Sequence, residues 1–229
     1  MNILALDTSM GACSAAVLRA GAASRDLFAR ETPMARGHAE VLMPMIAEVM
    51  EESRLDFPAL DLIAATTGPG SFTGVRIAIA AARGLALVTP AKLYGTDSLT
   101  VMARSARATR DLDAEPFAVA VDARRGTLYL GLYDGAGRKL DGPLLIAPDD
   151  AVGLLPKNLQ TVVGSGGPLL AEAAAGCGRQ LRAVLPELQP GAPALAEIAR
   201  ESGETDSVLR PLYLRPPDAR PQAAAVARR

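Results

Sequence analysis

The sequence predicts a mixed α/β chain folded as two related lobes, each a βββαβα unit. An apolar run at residues 3–6 ends in Asp7, and a second at 117–121 ends in Asp122, so one opening occurs twice. After each opening come two more strand-like segments, and then helix-spaced and strand-like stretches alternate. Apolar residues make up 49% of the 229 residues, enough for a full core, while aromatics are 3%, so that core is built from Ala, Val, Leu, Ile and Met. The halves share little identity; what repeats is the order of elements.

Residues 3–6 are apolar at every position, as in a strand buried on both faces. Residues 13–18 and 24–31 follow after turns at Gly11 and Gly21 and complete an antiparallel meander. A helix is expected from about 37 or 38 to 53, with Val41, Leu42, Met45, Ile46, Val49 and Met50 as one stripe. Pro44 lies inside that stripe, so the helix either begins near Leu42 or is kinked. Residues 61–66 form a strand and 67–74 a Gly-rich loop in which Ser71 or Thr73 caps the next helix. That helix, to about residue 88, is small and apolar nearly all round, with Arg76 and Arg83 on one face. Such a helix is buried in its own domain or by a partner. A strand at 92–95 and a helix capped by Asp97, running to about 107, close the first lobe. The charged stretch 107–116 is expected as a linker. In the second lobe, strands are expected at 117–121, 127–134, 139–146 and 161–163, and helices at 148–155, 169–176 and 192–201. The expected division is 1–108, 109–215 and a disordered Pro- and Arg-bearing tail, 216–229.

With 24 basic and 25 acidic residues the net charge is −1, which gives no general attraction to nucleic acid. Two distant cysteines, Cys13 and Cys177, point to reduced thiols. The first residues lack a basic segment and no apolar run approaches the ~20 residues of a membrane helix. A cytoplasmic protein without membrane contact is expected.

Asp7, Thr8 and Ser9 close a buried strand, where a phosphate or Mg²⁺ could bind or where a turn hydrogen-bonds itself. Gly68 with Gly70, and Gly164 with Gly166, lie in turns whose N–H groups could cradle phosphate. Neither turn is a Walker loop or a dinucleotide fingerprint. Asp122 opens a charged turn that is either phosphate-side or a plain hairpin tip. His38 is the only histidine, so no H-E-x-x-H zinc pair exists, and a dyad with Cys13 is disfavoured by the apolar strand around that thiol. The helices at 38–53 and 75–88 carry more apolar surface than one sheet face requires, which marks a partner surface unless the other lobe covers it.

Residues 3–9 with Ser14, 36–40 with 42–44, 67–77, 121–124 and 211–215 together resemble the TsaB (YeaZ) family of bacterial tRNA threonylcarbamoyladenosine biosynthesis proteins. The stretch 67–77, TGPGSFTGVRI, is the most specific. The resemblance implies a two-lobed fold of the actin, sugar-kinase and heat-shock-70 ATPase type. It implies a non-catalytic subunit that pairs with a metal-bearing catalytic paralogue, TsaD, or with itself in its absence. It also implies that a TsaE-like ATPase joins the complex and that tRNA is met only through it. The pairing surface it implies comprises His38, Glu40, Leu42, Met43, Ile46, Met50, Val75, Arg76, Ile79, Ala80 and Arg83. No cofactor is expected on the chain alone; ATP or ADP is expected at the joint surface. Ile46→Glu or Ala80→Arg is expected to spare the fold and abolish pairing. The alternative is a stand-alone nucleotide-dependent phosphotransferase using Asp7 for Mg²⁺ and the Gly turns for phosphates.

Overall fold

The computed structural model describes residues 1–21, 25–109, 112, 114–203 and 206–215. The tail expected at 216–229, and part of the linker expected at 107–116, lie outside the described residues. The first lobe runs β1 (Asn2–Asp7), β2 (Ala12–Ala20), β3 (Arg25–Pro33), α1 (His38–Ser53), β4 (Leu62–Thr66), α2 (Phe72–Ala86), β5 (Lys92–Thr96) and α3 (Ser98–Arg107). The second runs β6 (Phe117–Asp122), β7 (Leu128–Tyr133), β8 (Lys139–Ile146), α4 (Pro148–Val152), β9 (Thr161–Val163), α5 (Gly167–Gly176), β10 (Arg182–Val184) and α6 (Ala192–Ser202).

Each lobe has one five-stranded sheet, in the orders β3-β2-β1-β4-β5 and β8-β7-β6-β9-β10. The first three strands of each lobe pair antiparallel, and the last two add in parallel. Order, pairing sense and helix placement therefore repeat from one lobe to the other, giving the duplicated, two-lobed α/β fold expected. β10 escaped the sequence pattern because Arg182-Ala-Val184 is largely exposed and opens on a charge, so no apolar run marks it as Thr161-Val-Val163 is marked.

α1 begins at His38 and runs through Pro44, which lies on the exposed side, so the missing N–H leaves no buried carbonyl stranded. Gly37 enters it in the left-handed region, and Arg54 leaves it the same way with its N–H returned to the last turn. Ser71 is the N-cap of α2, its Oγ accepting the Gly74 N–H at 3.0 Å. Asp97 caps α3 through the Thr100 N–H at 2.8 Å, and the Lys139 ammonium of the second lobe donates to the same carboxylate at 3.0 Å.

The core is layered. One face of the first sheet packs against α1 and α2 through Leu4, Val17, Ile63, Leu42, Ile46 and Val75. Its other face, with Ile3, Ala5, Leu18 and Leu62, is covered by Leu195, Ala196 and Ala199 of α6, which comes from the second half. Reciprocally, Leu99, Met102 and Ala106 of α3 cover Phe117, Val119 and Tyr133 of the second sheet. The packing thus crosses the expected 108/109 boundary in both directions.

Candidate functional site: an inter-lobe cleft and an outward helix pair

The cleft between the lobes has a volume of about 450 Å³ and is lined by Ser9, Gly11, Gly70, Ser71, Asp122 and Arg124, among others. Asp7, at the end of β1, does not reach it. Its carboxylate is fully buried and accepts hydrogen bonds from the Thr66 hydroxyl, the Ser9 hydroxyl at 2.8 Å and the Ser9 N–H at 3.3 Å. Burial pushes its pKa up to about 7 against the opposing pull of those bonds, with a small further push from Glu31. The Thr8 hydroxyl donates to the Gly74 carbonyl at 2.7 Å, and the Ser98 hydroxyl donates to Ser9 Oγ at 2.9 Å.

The Gly-rich loop seals this network. A Cβ on Gly70 would stand 2.2 Å from the Ser9 carbonyl, and one on Gly74 2.1 Å from that of Thr8. These glycines let loop and turn close on each other over the Asp7 network. In the second lobe the Gly164 N–H donates to the Val184 carbonyl at 3.4 Å and the Gly166 N–H to that of Ala120 at 3.0 Å. The Gly68 carbonyl accepts from the Ser98 N–H at 2.8 Å.

Of the candidate phosphate residues, the structure brings Ser9, Gly70 and Asp122 to the cleft. Asp7, Thr8, Gly164 and Gly166 are spent on the chain's own packing, and Gly68 is buried away from the cleft. A Mg²⁺–nucleotide phosphate does not fit the set expected for it, because Asp7 is sealed and its neighbouring donors are taken. Asp122 instead accepts the Arg124 N–H at 2.7 Å, with the Arg124 guanidinium 3.8 Å away, which is the hairpin-tip alternative. The Cys13–His38 dyad is absent: burial pushes the Cys13 thiol up to about 11, and His38 Nε2 sits 3.2 Å from the Met10 carbonyl. Among the described residues no group of three His, Cys, Asp or Glu could hold a metal ion, and no helix is long and apolar enough to cross a membrane.

α1 and α2 lie side by side on one sheet face, and their phase divides the candidate partner residues. Leu42, Ile46, Met50, Val75 and Ile79 are between 0% and 4% exposed and belong to the core of the first lobe. His38 is also buried. These six are corrected from surface to interior: the stripe at helical spacing is the sheet-facing side. A charge at Ile46 would therefore break the fold before it touched any partner. Glu40, Met43, Arg76, Ala80 and Arg83 point outward. With them the structure exposes Ala47, Phe72, Gly84, Leu87 and Val88, which the sequence reading had not singled out. Phe72, Arg76, Ala80 and Gly84 recur every fourth residue and form one ladder. Among the described residues Tyr213 of the 206–215 segment rests on its Phe72–Arg76 end, and the rest of the ladder stays exposed; α6 and α3 are engaged elsewhere.

The fold is shared with YeaZ from Pseudomonas aeruginosa: the TM-score is 0.74 at 31% identity, covering 93% of this chain and 99% of that one. A family model described as TsaD, tRNA N6-adenosine threonylcarbamoyltransferase, matches residues 32–197. The chain belongs to the TsaB/YeaZ family. It is 36% identical over 135 residues to the tRNA threonylcarbamoyladenosine biosynthesis protein TsaB of Escherichia coli strain K12, covering 58% of this chain and 55% of that protein. The matched part spans only 52–60% of three curated TsaB relatives, E. coli TsaB included. A Mycobacterium tuberculosis H37Rv relative aligns over 97% of this chain and 95% of its own length at 34% identity. Within the TsaB/YeaZ family the TGPGSFTGVRI stretch now has a physical role here: it seals the β1–β2 turn and launches α2.

Proposed function

We propose that the chain is a non-catalytic subunit of the assembly that forms N6-threonylcarbamoyladenosine in tRNA, and that it pairs with and activates a TsaD-like catalytic paralogue. The observation that carries this proposal is the outward face of α2. Ala80 and Gly84 keep its centre low, and Leu87 and Val88 beyond it are 87% and 75% exposed. A small-residue helix face flanked by exposed apolar side chains lets a second helix approach closely. The names of the relatives supply the pathway, and the sealed Asp7 network argues that this lobe acts by contact. Pairing selects one conformation of the paralogue by binding it more tightly than the others. In the paralogue's absence a second copy covers the face. A TsaE-like ATPase joins the assembly, tRNA is reached only through it, and ATP or ADP belongs at the joint surface.

Size-exclusion chromatography of the chain alone and mixed with its TsaD-like counterpart tests this. Co-elution is expected for wild type and is lost in Ala80→Arg and Met43→Glu, both of which remain folded. Undiminished co-elution of both variants would rule out the α1–α2 face. The alternative, a stand-alone phosphotransferase, requires Asp7 to meet Mg²⁺. Micromolar heat on titrating ATP and Mg²⁺ into the isolated chain, lost in Asp7→Ala, would reinstate it.

A further inference from the structure

Resting on the pairing surface proposed above, one residue on it is prepared for a particular contact. The Arg76 guanidinium carbon lies 3.4 Å from the centre of the Phe72 ring and 5.3 Å from that of Tyr213. The two rings stack, 5.6 Å between centres and 24° between planes. Phe72 is 59% and Tyr213 47% exposed, so the cluster faces outward. Phe72 reaches Arg76 because it is one turn away on α2. Tyr213 arrives from the far end of the chain on an extended strap, residues 206–215.

That strap is pinned on both sides of Tyr213. The Ser207 N–H donates to the Leu93 carbonyl of edge strand β5 at 2.8 Å. Leu209 is 1% exposed and packs over Gly95, where a Cβ would come within 2.7 Å of it. The Leu212 N–H donates to the Thr67 carbonyl at 2.7 Å. Beyond Tyr213, the Arg215 guanidinium donates to the Ala123 carbonyl at 3.2 Å and to Thr127 Oγ at 2.8 Å in the second lobe. Tyr213 is thereby delivered to the start of α2 by the folded chain itself.

Among the described residues Arg76 has no hydrogen-bond or ion-pair partner. Its flat face is held by rings while its N–H edge remains open, the arrangement that favours a bidentate carboxylate. The charges around it say whose. α2 carries Arg76 and Arg83 and no acid, whereas α1 beside it carries Glu40, Glu48, Glu51 and Glu52 and no Lys or Arg. Arg30 of β3 takes up Glu52 at 2.8 Å and approaches Glu48 at 3.8 Å. Glu40 and Glu51 remain unpaired among the described residues. A protein built on the same two-helix plan, packed so that its first helix crosses α2, would bring an acidic helix to this basic one.

We propose that Arg76, held flat by Phe72 and by the strap residue Tyr213, is the anchor of the pairing surface and receives a carboxylate from an acidic helix of the partner protein. Arginine and aromatic residues dominate such interfaces because their order is set before contact. Calorimetry of the full chain with the TsaD-like paralogue, at low and at high NaCl, tests it. Arg76→Ala is expected to weaken pairing by on the order of thirty-fold and to flatten its salt dependence. Arg76→Lys should lose most of the same affinity, since an ammonium cannot make the paired contact. Tyr213→Ala should lose less, because Phe72 remains. All three should keep the wild-type melting temperature. Wild-type pairing by Arg76→Ala, alongside lost pairing by Ala80→Arg, would overturn the anchor and leave the surface standing. Normal pairing by both would sink the surface itself. Normal pairing by Arg76→Ala with reduced retention of tRNA by the complex would assign the guanidinium to an RNA phosphate and overturn the carboxylate.

Discussion

Asp7 is an acid with no access to water, and its ionisation is tied to the folded state. Its pKa is near 7 when folded, against an ordinary 3.8. Below about pH 4 it is protonated in both states, so its contribution to stability is complete there. Between about pH 4 and 7 only the unfolded chain ionises, and stability falls as pH rises; above 7 the contribution is gone. The difference amounts to on the order of 4 kcal/mol. Urea midpoints of wild type should therefore drop between pH 5 and 8, while Asp7→Asn stays flatter over the same span; parallel losses in the two would exclude Asp7 as the source. Ile46 is the second residue whose burial decides an outcome. Ile46→Glu should cost several kcal/mol, roughly 3–5, and lower the urea midpoint sharply. A soluble, fully stable Ile46→Glu protein would contradict its place in the core. Sequence alone marked Asp7 as special by its position at a strand end, yet left open whether it faced ligand or turn. What decides is the closing of Gly70 and Gly74 over it, a long-range contact that no local pattern encodes.

At the scale of elements, α2 shows why the partner surface was only half legible. A helix that is apolar nearly all round has no polar side to set its phase, so Val75 and Ile79 were grouped with Ala80 although they face the opposite way. α1 misled differently: its clear stripe of Leu42, Ile46 and Met50 marks the sheet rather than a partner, and of its acidic outer side only Glu40 stood among the pairing residues. The 206–215 strap had no structural reading, although 211–215 is among the resembling stretches, because an extended segment with one buried Leu has no period to detect. Gly84 isolates what the chain itself requires of α2. A Cβ there meets nothing within 4 Å, and its φ is not positive. Gly84→Ala should therefore stabilise the isolated protein by about 0.5–1 kcal/mol, through the glycine penalty in helices. Thermal unfolding should move up while co-elution with the TsaD-like paralogue weakens. Unchanged pairing would mean that no partner backbone comes close at that turn.

Over the whole molecule the lobes are locked by exchange. α6 completes the first sheet and α3 completes the second, and Arg104 of α3 pairs with Glu201 of α6 between them. Calorimetry should show one unfolding transition for both lobes. Leu195→Ala, which opens a hole against the first sheet, should lower stability by about 2–5 kcal/mol and loosen both lobes together. Two separated transitions would contradict the exchange. The duplicated order of strands was visible in the repeated apolar runs ending in Asp7 and Asp122. The exchange was not, because an amphipathic helix such as α6 states that it covers something without stating what.

That exchange bears on how the polypeptide is made. The ribosome releases the amino-terminal strands long before the segment that must shield them, so a nascent first half emerges with one greasy side bare. We predict that arrested chains ending before Ala192 are cut readily by protease and held by chaperones, whereas chains carried past Arg215 and clear of the exit tunnel become resistant. Early resistance would mean that some other part of the growing polypeptide shelters the sheet during synthesis.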